Sequence, residues 1–172
     1  MRYKFSILFV LLTANLSAQE ITSTQSFLIS GKIKAPRKIY GSDLSSYTIV
    51  NIGDLVITNH LGEPRGTAKS LRGVLLKDIL GKVEIDAESP RVLSEYYFVC
   101  KASDGYAVVF SWNEIFNTTT GDNVYIITEK EGMPWRDLPE SLLLVSAKDF
   151  KTGRRHVKAL ATIEVCRIAN EH

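Results

Sequence analysis

Short apolar runs, broken at close intervals by turn-forming residues, constrain this chain more than any other feature of its sequence. Residues 27–33, 47–58, 96–102, 106–110, 124–128, 142–146 and 161–168 are each rich in Val, Ile, Leu, Phe, Tyr or Thr and are bounded by Gly, Pro, Asn, Asp or Ser. Runs of this length and composition predict β-strands. Within 47–58 the pair Gly53-Asp54 interrupts the pattern. It predicts either one strand with a bulge or two strands and a tight turn. Asp104-Gly105 stands between two apolar runs, which is a strong hairpin signal because both residue types tolerate positive φ.

Helical periodicity is confined to two short segments. In 74–81, Leu75, Leu76, Ile79 and Leu80 recur at spacings of three and four, and Gly81 stands where a left-handed terminator would end a helix. After Ser111, Glu114 completes an S-x-x-E capping box, with Trp112, Ile115 and Phe116 as the buried side. Ser42-Asp43-Leu44 can open a further helical turn. No βαβ alternation and no G-x-G-x-x-G fingerprint occurs. The expected class is therefore α+β, with mixed, mostly antiparallel short strands and a few short helices, not a dinucleotide-binding sheet.

The N-terminus has the layout of a secretory signal peptide. Arg2 and Lys4 precede an apolar run over 5–12, followed by small and polar residues up to Ala18 and Gln19. The run is too short to span a bilayer, which takes ~20 residues. The expected organisation is a signal peptide over 1–19 and a single domain over 20–172, in an exported, periplasmic or secreted protein. The leader holds two of the 21 basic residues and none of the 19 acidic ones, so the remainder is balanced in charge. A balanced chain without a Lys/Arg tract is a poor candidate for nucleic acid or an anionic membrane. Cys100 and Cys166 both lie in strand-like stretches. Export permits a disulfide, whereas their apolar surroundings favour two packed thiols. No C-x-x-C or H-E-x-x-H occurs and the three histidines are scattered, so no metal site is expected.

Three segments together resemble the molybdopterin-binding domain of the sulfite oxidase family. They are LRGVLLKDIL at 71–80, ASDGY at 102–106, and TGRRHVKAL at 152–160 running into TIEV at 162–165. Members of that family carry an R-G-V-x-L-x-D-x-L helix start, a D-G-Y hairpin and a late G-x-R-x-V-K-x-L stretch, in this order. ISGKI at 29–33 resembles the family's first strand. The resemblance implies a sulfite oxidase-like fold and a late basic motif that holds the pterin's phosphate. Such chemistry needs the donor fork of an arginine and the mobile charge of a lysine. By that analogy the cofactor-binding candidates are Arg155 and Lys158, with His156 beside them, Arg72 near the helix start, and Asn59 in the stretch that faces the metal.

The departure matters as much as the match. Catalytic members supply a Cys thiolate to molybdenum between the second strand and the R-G-V segment, and here the stretch 56–65 has none. Asn59 and His60 stand nearest the expected position, and neither replaces a soft thiolate. The expectation is an exported domain that binds molybdopterin, a related pterin or another small phosphate-bearing ligand without redox chemistry, with no catalytic residues assigned and molybdenum doubtful. The alternatives are a molybdenum-dependent oxidoreductase with unusual ligation, or a degenerate envelope scaffold for protein contacts, with Met133 and Trp135 as its first candidate surface.

Overall fold

Two sheets divide the strands of this protein between them. The computed structural model describes residues 21–169. The expected signal peptide therefore lies outside the described residues. No helix among these is long and apolar enough to cross a membrane.

The first sheet contains β1 (Ser26–Gly31), β2 (Arg37–Tyr40), β5 (Tyr96–Ala102), β6 (Ala107–Ser111) and β11 (Leu160–Arg167). Its order is β2-β1-β11-β5-β6. β1 and β11 run parallel, and every other pair in it is antiparallel. The second sheet has the order β10-β9-β7-β4-β3, with β8 added to β7. Its members are β3 (Ile49–Thr58), β4 (Pro64–Leu75), β7 (Val124–Lys130), β8 (Met133–Pro134), β9 (Leu143–Ser146) and β10 (His156–Val157). The expected sheet-rich, mainly antiparallel architecture is present, and the two α-helices among the described residues have only five residues each: α1 (Leu76–Leu80) and α2 (Trp112–Phe116).

Side-chain alternation explains how the layers stack. In β5, Tyr96, Phe98, Cys100 and Ala102 point inward, and in β6 Val108 and Phe110 do the same. They pack with Phe27 and Ile29 of β1 and Ile163 and Val165 of β11 into the main core. β7 and β9 are buried on both faces. Val124, Ile126 and Leu144 join the main core. Tyr125, Ile127, Leu143 and Val145 form a second core with Leu55, Leu71 and Leu138. This is why both strands read as continuous apolar runs in the sequence.

Several local expectations need correction. The 47–58 segment is one strand, with register shifts on either side of Gly53, whose φ is +81°. The bulge alternative is therefore the one realised. The helix expected over 74–81 is shorter, because Val74 and Leu75 end β4 by pairing with Ile126 and Tyr125 of β7. Gly81 is right-handed at φ −63°, ψ −16°, with its N–H bonded to the Lys77 carbonyl, so it terminates nothing by handedness. In the Asp104-Gly105 turn only Gly105 has positive φ, while Asp104 accepts from the Tyr106 N–H. Most of β4 has no periodic apolar pattern, and β2 and β10 are equally silent in the sequence. Their pairing partners, not their own residues, make them strands.

Trp135 is partly buried against the main core. A Cβ on Gly41 would come within 2.3 Å of its ring, so the indole packs where only glycine leaves room. Met133 is exposed.

Candidate functional site

The late basic motif begins in a tight corner. Residues Thr152–Arg155 form a 3-10 turn that leads into β10. The Thr152 hydroxyl donates to the Val56 carbonyl at 2.6 Å and accepts from the Thr58 N–H at 3.1 Å, fastening the turn to β3. A Cβ on Gly153 would sit 1.9 Å from the Thr58 carbonyl oxygen. The motif's glycine is thus a close-approach residue, and the Thr-Gly pair welds the motif to the β3–β4 hairpin.

Arg155 is held by carboxylates. Its Nε and Nη2 donate to Asp149 Oδ2 and Oδ1, both at 2.7 Å, and its Nη1 donates to Glu114 Oε1 at 2.8 Å. The guanidinium carbon lies 4.4 Å from the Phe110 ring centroid, a cation–π stack. Glu114 is positioned by its own helix cap, with Oε2 accepting from the Ser111 N–H at 2.8 Å while Ser111 Oγ accepts from the Glu114 N–H. The two carboxylate oxygens are therefore divided between the cap and the arginine. Burial pushes both acids upward, but the hydrogen bonds from Arg155 and from Ser111 or Ser146 outweigh it and hold Asp149 and Glu114 below the ordinary carboxylate range. This satisfied cluster removes Arg155 from the donors free to hold a phosphate.

Two other sequence candidates are also committed elsewhere. Arg72 pairs with Glu129 across β4 and β7 at 3.1 Å, on a half-exposed surface. Asn59 organises the β3–β4 loop. Its Oδ1 accepts from the N–H groups of Leu61 and Glu63, and its Nδ2 donates to Glu63 Oε2 at 2.7 Å. That is an Asx turn, and it accounts for the asparagine without a ligand.

His156 and Lys158, by contrast, reach one cavity of about 440 Å³. Its walls come from the β3–β4 hairpin, the end of β7, the residues before β9 and the late basic motif. Ile57 and Leu143 supply apolar surface; Thr58, Arg65, Lys130, Glu131 and Glu140 join His156 and Lys158 as polar lining. The volume falls in the range of small-molecule clefts, ~300–1,000 Å³. Lys130 Nζ bonds Glu140 Oε1 at 2.8 Å, and both side chains are mostly buried. Burial opposes the charge on Glu140, yet Lys130 and, at longer range, Lys158 keep its carboxyl below the usual range. Burial, with help from the Lys158 charge, pushes His156 down to about 4, so its imidazole is neutral at physiological pH.

Three buried side-chain atoms among the described residues lack a hydrogen-bond partner: Thr58 Oγ1, Glu140 Oε2 and His156 Nε2. The three residues that carry them all line this cavity. Buried polar groups without partners cost about 1–3 kcal/mol each, so they seldom gather in one place without reason. Thr58, Lys130, Glu140 and Arg65 were not legible as site residues. They come from three separate stretches of chain, with Thr58 and Arg65 on the two arms of the β3–β4 hairpin, and none sits in a recognisable motif.

Neither thiol is at this cavity. Cys100 in β5 is fully buried, with burial pushing it up to about 12, and Cys166 lies in β11; both are free. Among the described residues no group of three His, Cys, Asp or Glu side chains is arranged to hold a metal ion.

No protein-family model and no curated protein matches the chain. Among solved structures it is similar to the sulfane dehydrogenase SoxCD from Paracoccus pantotrophus, with 14% sequence identity and a TM-score of 0.60 over 88% of this chain. The matched region is 39% of the length of that chain. The likeness is one of fold.

Proposed function

We propose that the cavity between the β3–β4 hairpin and the late basic motif binds a small, anionic, hydrogen-bonding ligand of the pterin class without redox chemistry. The observation that carries this reading is that Thr58, Glu140 and His156, each with a buried side-chain atom lacking a partner, line one cavity, where Arg65, Lys130 and Lys158 stand against Glu131 and Glu140. A pterin phosphate has the matching groups. Its aminopyrimidinone N–H edge would donate to Glu140 Oε2, after a small side-chain rotation. Its phosphate would be met by Lys158 and Arg65, as mobile or forked cations meet phosphates elsewhere. Neutral His156 can serve as donor or acceptor, according to its tautomer.

The same donor set does not fit a thiolate-bound metal, since the polar lining side chains offer nitrogen or oxygen and none offers sulfur. The resemblance to molybdopterin-binding domains therefore extends here to the organic part of the cofactor and stops at the metal. The motif resemblance and the fold likeness to a dehydrogenase support the ligand class, and the cavity's own groups support its charge.

Calorimetric titration with pterin monophosphates tests the reading, alongside mass spectrometry of the purified protein. Saturable one-site binding, weakened at least about ten-fold by Lys158→Glu with the melting temperature retained, is the expected result. Absence of binding to any pterin or to inorganic phosphate at millimolar concentration would overturn it.

A further inference from the structure

We propose that the loops beside this cavity dock the protein onto an anionic lipid bilayer, with Phe150 as the inserted side chain. This surface adjoins the cavity and shares Arg65 with it, but it does not depend on the pterin reading.

Phe150 is fully exposed, at 102% of its reference area, on the connection between β9 and β10. The chain on either side of it is fixed. Asp149 is gripped by Arg155 and accepts from the Ser146 hydroxyl at 2.7 Å. Lys151 Nζ donates to the His60 carbonyl at 3.0 Å, and Thr152 is tied to β3. An aromatic ring on a loose loop would fold back onto the nearest apolar surface. Here both neighbours are clamped, so the ring is held out in water at a standing hydrophobic cost. Leu61, 64% exposed, stands at the tip of the β3–β4 loop that Lys151 joins to the same surface. Tyr106, also exposed, borders it through a hydrogen bond from its hydroxyl to the Arg154 carbonyl.

Charge completes the pattern. The stretches 59–66 and 147–155 carry five basic residues against two acidic ones, and one of each, Arg155 and Asp149, is spent on the internal pair. Arg65 pairs with Glu63 at 3.7 Å, and Lys148, Lys151 and Arg154 remain against Asp104 beside Tyr106. A chain balanced overall thus places an excess of positive charge around three exposed apolar side chains, a local arrangement that net charge does not report. Protein interfaces have a contiguous apolar core and are poor in lysine. Separate apolar tips with lysines between them suit a deformable anionic surface instead, where each basic residue and each inserted ring adds to partition.

The test uses the full chain and vesicles of phosphatidylcholine, alone or mixed with phosphatidylglycerol. In Phe150→Trp the introduced indole should shift its emission to the blue, and be quenched by brominated lipid, only when phosphatidylglycerol is present. Wild type supplies the background of Trp112 and Trp135. Any affinity of residues 1–20 is the same in every variant and does not report at position 150. Phe150→Ser should lower sedimentation with the mixed vesicles by about ten-fold, and Lys148→Glu with Arg154→Glu should lower it further, all with unchanged melting temperature. An indole that keeps its emission in mixed vesicles, or Phe150→Ser sedimenting as wild type does, would overturn the proposal. So would binding to an acidic polypeptide such as polyglutamate with no vesicle response.

Discussion

Arg155 grips Asp149 through two parallel hydrogen bonds of 2.7 Å each, and its remaining Nη1 reaches Glu114. The late basic motif is thereby tied to β9's exit and to α2 at once. Truncating the arginine would leave two carboxylates, both held low by it, without their partner. Arg155→Ala should cost about 3 kcal/mol of folding stability, the lower end for breaking a buried pair because Glu114 keeps partial solvent contact. Urea denaturation measures it, and Arg155→Lys should recover only part, since an ammonium cannot reproduce the fork.

His156 should make the protein acid-sensitive. Its folded value of about 4 lies below the ordinary histidine value of 6.5, so between these pH values the unfolded chain takes up a proton that the folded chain refuses. Stability therefore rises with pH across that window and falls as the pH drops from 6.5 toward 4. Asp149, Glu114 and Glu140, held low by their cationic partners, add a loss in the same direction at still lower pH. His156→Gln should flatten the slope above pH 4 in chemical denaturation performed across the range. A slope unchanged in the variant would assign the sensitivity to the carboxylates alone.

Gly153→Ala tests the weld between the motif and the hairpin. The added methyl would fall 1.9 Å from the Thr58 carbonyl oxygen, so one of the two backbones must move. A loss of about 1–3 kcal/mol is expected, as for other forced insertions into packed sites. Because Thr58 and Gly153 both line the cavity, ligand binding should weaken as well. Calorimetric unfolding and the pterin titration read the two effects separately.

Ser111→Ala removes the hydroxyl that caps α2 and bonds Glu114. The direct cost is about 1 kcal/mol. The carboxylate keeps Arg155 as a partner, so a double-mutant cycle with Arg155→Ala should show coupling beyond additivity.

The two thiols should differ in reactivity. Cys100 is buried and pushed up to about 12, whereas Cys166 is half-buried near the end of β11. In the native protein alkylation followed by mass spectrometry should label Cys166 first. Cys100 should react only on unfolding, because the thiolate is the reacting form and burial suppresses it.

What the sequence determined by itself is local. The apolar runs of β1, β5, β6, β7 and β9, the Asp104-Gly105 turn and the Ser111–Glu114 cap follow from alternation, turn chemistry and capping over a few neighbouring residues. The five-residue α1 was over-extended because Val74 and Leu75 fit a helical face as well as they fit β4, and pairing with β7 decided between them. Of the five site candidates, His156 and Lys158 reach the cavity, while Arg72, Asn59 and Arg155 are taken by Glu129, Glu63 and the Asp149–Glu114 pair. A charged side chain's role depends on which opposite charge the fold brings within about 3 Å, and Asp149 and Glu114 reach Arg155 from different elements. Only tertiary structure sets that distance, and only it gathers Thr58, Glu140 and His156 around one space.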